Sequence, residues 1–317
     1  MNETVTPDAK RRGGRRERRD LRTRPDHAML PTLAGQLPLT EPMDQEQIER
    51  IDAASLDILE EVGVVFRDDI ALEDWRKAGA DVRGERVHLD RGLVKSLIKT
   101  IPSEITLHAR NPEKTVALGG RQSIFIPMTG APYLRDLEDV RRAPTLDDLA
   151  TFHKLAHMLP AMHSSAHHIV EPMDHPISHR HLRITHSSML YSDKTFMGMT
   201  TSGQNAEDVL DMCAILFGEE YLETHAVVTG NCNGNSPLVW DETMLSAMRA
   251  FNRRNQPVLC SPFVLGGANT PASTVPTVAQ LNAEALSALA YTQVIRPGCP
   301  AIYGHYLSCL LYTSPSP

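Results

Sequence analysis

Several features that mark membrane, secreted or dinucleotide-binding proteins are missing from this sequence. No apolar run approaches the roughly 20 residues that a membrane-spanning helix needs, and the charged N-terminus lacks the apolar core of a signal peptide. No G-x-G-x-x-G turn follows the first predicted strand, which removes the main support for a dinucleotide-binding fold. We therefore expect a cytoplasmic protein without that fold.

Cysteine and aromatic residues are both scarce. The 5 cysteines are widely separated and form no C-x-x-C pair, so neither a disulfide framework nor a structural zinc site is indicated. Aromatic residues make up 5% of the chain. An aromatic residue that directly follows a predicted strand is therefore a stronger candidate for ligand binding than it would be in an aromatic-rich chain.

Positive charge is concentrated near the N-terminus. The net charge of the whole chain is −7, yet residues 10–24 carry nine basic and two acidic side chains. The remainder is consequently acidic, which argues against nucleic-acid binding by the folded part. Residues 1–40 also lack a periodic apolar pattern, and they are predicted to form a disordered basic arm.

Residues 41–115 are predicted to form a small α+β unit. Apolar residues recur at helical spacing over residues 45–62 and the pattern stops at Gly63; a second helix pattern stops at Gly79. A strand pair, a short helix and a further strand complete the unit.

Strand and helix patterns alternate from residue 116 to residue 307. The candidate strands are Gln122–Pro127, His163–Val170, Thr195–Thr200, His225–Gly230, Pro257–Pro262 and Pro300–Tyr306. This repeat predicts an α/β fold with a parallel sheet, and a TIM-type (β/α)8 barrel is favoured over a doubly wound sheet. A complete barrel has eight strands, so the barrel is predicted to be incomplete, and residues 308–317 to be a non-native tail.

Residues 256–304, "QPVLCSPFVLGGANTPASTVPTVAQLNAEALSALAYTQVIRPGCPAIYG", resemble the most characteristic segment of the trimethylamine methyltransferase family. Residues 130–149, 192–198, 231–245 and the first helix also match, so the resemblance spans residues 43–307. It implies a barrel enzyme that moves a methyl group from trimethylamine or a quaternary amine such as glycine betaine to a corrinoid (cobalamin) held on a partner protein. It implies no directly bound cofactor, and a homo-oligomer is compatible with it. The family's pyrrolysine position would lie beyond residue 317, so the resemblance leaves the choice of amine open.

A methylammonium substrate calls for aromatic faces and a nearby carboxylate, and barrel enzymes place such groups after the carboxyl ends of strands. That rule selects Tyr303, Phe263, His305, Tyr306, Asn231, Asn233, Glu171, His167 and His168. Tyr303 and Phe263 are the first choices for packing against the cation. Glu284 joins them because it lies in the most characteristic segment and shares a helix face with Gln280. No residue is assigned a catalytic role.

Two other functions stay open on the sequence. His153 with His157, and His163 with His167, have helical i, i+4 spacing, which keeps a zinc-dependent barrel methyltransferase as an alternative. The chain has no H-E-x-x-H motif and no identifiable third ligand, so no metal site is predicted. A non-catalytic protein that binds quaternary amines would use the same aromatic site. With two strands missing, the chain by itself is expected to be inactive.

Overall fold

The computed structural model describes residues 28–35 and 40–309. The elements of its N-terminal part are β1 (Leu33–Ala34), α1 (Gln45–Asp57), a π-helical turn (Ile58–Val62), β2 (Val64–Arg67), α2 (Asp69–Lys77), β3 (Asp81–Arg83), β4 (Arg86–His88), α3 (Arg91–Ile98), β5 (Glu104–Leu107), a 3-10 turn (Pro112–Lys114), β6 (Val116–Gly119) and β7 (Gln122–Ser123).

The elements that follow supply the larger sheet and its covering helices. They are β8 (Leu134–Arg135), β9 (Arg141–Arg142), α4 (Leu146–Met158), α5 (Ile177–Tyr191), β10 (Phe196–Met197), α6 (Gly203–Phe217), α7 (Glu219–Thr224), β11 (Val228–Cys232), β12 (Val239–Asp241), α8 (Glu242–Arg253), β13 (Val258–Cys260), β14 (Phe263–Gly266), α9 (Thr274–Ile295), β15 (Ala301–Tyr303) and β16 (Tyr306–Cys309).

Local sequence signals explain the first helix. Asp44 accepts a hydrogen bond from Gln47 N, and the Gln47 side chain accepts one from Asp44 N, which is a capping box at the start of α1. The helical run ends at Gly63, where φ is +72° and a Cβ would lie 2.7 Å from Val87 O. Only glycine fits there without strain, so the predicted helix and its glycine stop are confirmed.

The predicted strand pair is also present, as the antiparallel pair of β3 and β4. These strands share a sheet with β2 and, through a parallel pairing, with β12 from the later part of the chain. Apolar side chains of both parts pack in one continuous core. Residues 41–115 are therefore packed tightly onto the rest of the protein.

Part of the predicted basic arm is ordered, which corrects that prediction for residues 28–35. Within this stretch β1 pairs with β7, Leu30 N donates to Pro160 O, and His163 Nε2 lies 3.1 Å from Leu30 O. The partners in these bonds are far away in sequence, so no local pattern predicts them. Residues 1–27 and 36–39 lie outside the described residues.

The central sheet consists of four parallel strands, β10, β11, β13 and β15, whose order across the sheet is the same as their order along the chain. The predicted strand 163–170 lies beside β10, joined by the Ser164–Thr195 bridge, and His163 N donates to Phe125 O in the segment before it. It is not a regular strand, because Ala166 has φ of +55°, which an extended strand does not allow. The described residues thus form an open parallel sheet and not a closed ring.

The two faces of this sheet are covered differently. On the outer face α8 packs on β11, and α9 packs on β13 and β15. Gly198 allows close packing there, since a Cβ on it would lie 2.8 Å from Val209 Cγ1. On the inner face the β5–β6 hairpin closes the amino-terminal end, where its apolar side chains contact Ala226 and Ile302. The hairpin does not cover the carboxyl edge of the inner face.

The last described strand, β16, pairs in parallel with β14 over Tyr306–Cys309. Residues 308 and 309 therefore belong to the sheet, and residues 310–317 of the predicted non-native tail lie outside the described residues. None of the described helices is long and apolar enough to cross a membrane.

Candidate functional site

The register of the last strands determines which side chains share a face. β13 pairs Cys260 with Tyr303, and β14 pairs Phe263 with Tyr306 at the same sequence offset. Hydrogen bonds of 3.0 Å from Gly304 N and Tyr306 N to the opposite strand bridge the gap between the two ladders. The two ladders are therefore one continuous parallel pair, in which side chains alternate between the faces.

This alternation puts Tyr303 and Phe263, the first choices from sequence for packing against the cation, on opposite faces of the sheet. Cys260 and Ala301 lie in the core under the helices, so Tyr303, aligned with Cys260, lies on the outer face. Ile302 packs on the hairpin that closes the inner face. Phe263 and Tyr306 lie on the inner face, because each is an even number of residues away from an inner-facing residue of its own strand.

Two asparagine side chains meet on the inner face at the carboxyl edge. The Ser261 hydroxyl lies 2.6 Å from Asn231 Oδ1 and 2.8 Å from Asn233 Oδ1. Thr200 Oγ1 donates to the Asn231 carbonyl oxygen at 2.5 Å and ties β11 to the end of the neighbouring segment. These contacts fix the position of both amide groups.

Thr229 lies two residues before Asn231 and therefore on the same face of β11. Its side chain is 6% exposed, and its hydroxyl has no hydrogen-bond partner among the described residues. A buried hydroxyl without a partner costs roughly 1–3 kcal/mol.

Phe263 and Tyr306 extend the inner face beyond the amides. Phe263 is 50% exposed and Tyr306 is 61% exposed, and the two are aligned across the strand pair. Accessible aromatic rings at a strand edge are suited to packing against a cation.

Tyr303 has a different environment on the outer face. Its hydroxyl donates to Asn282 Oδ1 of α9 at 3.0 Å, and Asn282 in turn donates to Ser55 Oγ of α1 at 3.0 Å. Burial raises the pKa of the Tyr303 hydroxyl. His305 lies next to the Tyr303 ring, with centroids 5.7 Å apart. Neither residue shares a face with Asn231.

Glu284 is 1% exposed and belongs to α9, on the same helix face as Gln280, as expected. Its carboxylate accepts hydrogen bonds from Leu238 N and Gln280 Nε2, each at 2.9 Å, and from the Ser236 hydroxyl. Leu238 has φ of +56°, a conformation that needs support from its surroundings. Burial raises the pKa of the Glu284 carboxyl. The carboxylate thus holds the loop that follows Asn233.

Glu171 is already paired within the protein. Arg180 Nη1 lies 2.8 Å from its Oε1, and His168 Nε2 lies 3.7 Å from its Oε2. His168 in turn lies 2.7 Å from His167, measured between Nδ1 and Nε2. The negative charge of Glu171 is therefore balanced by a neighbouring guanidinium.

The histidines considered as zinc ligands do not converge. His153 uses Nδ1 with Ser187 Oγ and Nε2 with the His167 carbonyl oxygen. His163 is bonded through Nδ1 to Phe125 N and through Nε2 to a carbonyl oxygen. Within residues 28–35 and 40–309, no group of three or more His, Cys, Asp or Glu side chains is arranged to hold a metal.

Sequence reasoning missed Ser261, Thr229 and Thr200. Ser261 and Phe263 are two residues apart in the same predicted strand end, so period-two alternation could have found Ser261. Thr229 could have been found in the same way from Asn231. Nothing local marks Thr200, whose contact with β11 depends on the packing of two strands.

Comparisons with known proteins find similar sequences. The sequence model of the family described as trimethylamine methyltransferase matches residues 11–317. Glycine betaine methyltransferase of Desulfitobacterium hafniense is 40% identical over 269 residues, which cover 84% of this chain and 56% of the relative. Proline betaine:corrinoid methyltransferase of Eubacterium limosum is 28% identical, covering 81% and 54%.

A solved structure is similar as well. Monomethylamine methyltransferase of Methanosarcina barkeri superposes with a TM-score of 0.57 at 12% identity, covering 84% of this chain and 54% of that one. At this identity the likeness shows a shared fold alone. The chain spans about half the length of the curated relatives it matches. The family model and the glycine betaine relative together show that the chain belongs to the trimethylamine methyltransferase family.

Proposed function

We propose that the protein is a corrinoid-dependent methyltransferase whose methyl donor is a quaternary amine such as glycine betaine, with trimethylamine as the other candidate donor. The observation that carries this proposal is the 40% identity to glycine betaine methyltransferase over 84% of the chain. The methyl acceptor is a corrinoid on a separate partner protein, in keeping with relatives named as corrinoid methyltransferases.

The reaction asks little acid–base chemistry of the protein. The carbon–nitrogen bond would break with its electron pair left on nitrogen, and the corrinoid acceptor, when bound, would supply the pair for the new bond to carbon. A quaternary amine departs as a neutral tertiary amine, so its departure needs no proton. The protein has to orient the methyl group toward the acceptor and keep water out.

The inner-face residues suit that task. Phe263 and Tyr306 would pack against the ammonium group, and Asn231 and Asn233 would bind the rest of the substrate. Glu284 would act as a positioning residue, because it holds the loop after Asn233.

The remaining candidates would act at the rim or through other residues. Tyr303 and His305 would support the outer side of the same strand end. Glu171, paired with Arg180, would border the site at the end of the segment beside β10.

We also propose that the complete fold is a (β/α)8 barrel and that the chain by itself is inactive. Among the described residues, no strand pairs with the free edge of β15 or β16. Unpaired strand edges expose backbone donors and acceptors. A ring closed by further polypeptide would cover them and complete the wall around the substrate.

The test is methyl transfer by the full gene product to Co(I) cobalamin, and to a reduced corrinoid protein, with glycine betaine or trimethylamine as donor. We expect a change in the corrinoid absorbance and formation of dimethylglycine from glycine betaine. Binding of the amine without transfer would indicate a binding protein. Transfer that is lost on chelation and restored by stoichiometric zinc would indicate the zinc-dependent class. Either result would contradict the proposal.

A further inference from the structure

The inner face of the sheet carries amide donors that lack acceptors. We propose that Asn231 and Asn233 bind the carboxylate of the substrate, so that the site selects betaines, which carry a carboxylate, over methylated amines that do not. This rests on the proposed function, because it specifies the substrate class of the same site.

The two asparagine amides share one hydroxyl partner, Ser261. Ser261 has one hydroxyl hydrogen, which it can donate to Asn231 Oδ1 or to Asn233 Oδ1 but not fully to both. If one amide is turned around, one of its N–H groups donates to Ser261 instead and the other remains. In each arrangement both amides keep at least one N–H without an acceptor in the part of the chain that the structure describes.

The buried hydroxyl of Thr229 is a second, independent sign of a ligand. It lies below Asn231 on the same face, is 6% exposed, and has no partner among residues 28–35 and 40–309. Buried polar groups in proteins are nearly always hydrogen-bonded to protein, water or ligand. The Thr229 hydroxyl and the Asn231 amide are neutral donors on the same face of β11, which suits a carboxylate.

Charge also favours a betaine over a simple ammonium ion. Residues 228–233 and 259–263, which supply the amide and phenyl groups, contain no Asp, Glu, Lys or Arg. Glu171, at the end of the segment beside β10, is neutralised by Arg180. A desolvated charge is costly unless it is compensated. A zwitterion has no net charge and fits this neutral surface, whereas trimethylammonium would bring an unbalanced positive charge.

The amide groups and the Phe263 ring follow one another on the same face of the strand ends. Phe263 lies two residues beyond Ser261 on the same face, about 7 Å along the strand at the usual rise per residue. The carboxylate and ammonium of glycine betaine are separated by one methylene group. A ligand of this length can reach the amides with its carboxylate while its methyl groups face Phe263.

The test is calorimetric binding of two ligands to the full gene product: glycine betaine, and tetramethylammonium, which has no carboxylate. We expect Asn231→Ala and Asn233→Ala each to weaken glycine betaine binding roughly tenfold, as expected for loss of a hydrogen bond to a charged group. Tetramethylammonium binding should stay unchanged. Asn231→Asp should oppose glycine betaine and strengthen tetramethylammonium, which reverses the preference. Asn235→Ala, in the exposed loop beyond Asn233, is the matched control.

If an asparagine variant does not fold, Ser261→Ala is tested instead. Loss of the Ser261 hydroxyl removes the group that positions both amides, so it should weaken binding of glycine betaine and leave binding of tetramethylammonium unchanged. Equal weakening of both ligands would overturn the carboxylate assignment and leave the proposed function standing. A parent protein that neither binds glycine betaine nor demethylates it would instead remove the proposed function. The two failures are therefore distinguishable.

Discussion

Two polar clusters of this protein differ in how fully their hydrogen-bonding groups are used within the protein. Under the helices, Arg249 donates to both carboxylate oxygens of Asp68 at 2.9 and 2.6 Å, and Asp68 also accepts from Ala71 N. Tyr291 accepts from Arg249 and donates to Asp74, each at 3.1 Å. On the inner face, by contrast, Thr229 and the amides keep unused donors.

The difference indicates separate roles. The cluster under the helices joins the N-terminal unit to α8 and α9 through an ion pair and hydrogen bonds between its own members. The inner-face cluster is held in place by Ser261 and Thr200 but leaves N–H and O–H groups directed away from the protein's own acceptors. We therefore expect changes in the first cluster to alter stability, and changes in the second to alter binding.

The largest effect is expected for Arg249→Met. It would leave the Asp68 carboxylate buried without its cationic partner, which typically costs roughly 3–5 kcal/mol of unfolding free energy. Urea denaturation of the full gene product measures it. Arg76→Met is the control, because the pair of Arg76 with Glu73 is exposed and worth at most about 1 kcal/mol. Equal losses in the two variants would break the distinction between the clusters.

A pH-dependent effect comes from His153, another fully bonded group outside the site. Burial lowers the pKa of His153 to about 4, while in the unfolded chain it stays near 6.5. The unfolded state therefore binds the additional proton between these values, so stability falls as the pH falls through this window. A shift of this size corresponds to about 3 kcal/mol.

The measurement is the unfolding free energy of the parent and of His153→Gln between pH 7 and pH 4. The parent should lose stability more steeply than the variant as the pH falls. Identical slopes would show that His153 is accessible to protons in the native state, against its complete burial.

The smallest expected effect separates the two aromatic candidates. Phe263→Ala should weaken binding of tetramethylammonium by about 1–2 kcal/mol, the range for a partly desolvated cation–π contact. Tyr303→Ala should change it little, because Tyr303 lies on the outer face and bonds to Asn282. A larger loss for Tyr303 than for Phe263, in calorimetry of folded variants, would reverse the assignment of faces.

Local features of this fold were predictable from sequence, and features that depend on distant pairing were not. The capping box at Asp44 and the stop at Gly63 depend only on nearby residues, and both were found. The side to which Tyr303 points depends on its register with β13. The left-handed conformation of Ala166 interrupts a segment whose sequence is compatible with a strand.

The candidate site residues divide in the same way between local features and features that depend on distant pairing. Asn231, Asn233 and Phe263 were selected as candidates because they follow predicted strands, and position along the chain is enough for that. The burial of Glu284 was not recognised, since an isolated helix pattern does not show which loop covers it. Alternation along its strand could have pointed to Ser261, but its contacts with the two asparagines depend on strand ends that lie side by side.

The most direct test of the inner-face site is a crystal structure of the full gene product with glycine betaine. We predict that its carboxylate lies within hydrogen-bonding distance of Asn231 and Asn233, and that its methyl groups face Phe263. Glycine betaine bound on the outer face beside Tyr303, or against Glu284, would contradict this account.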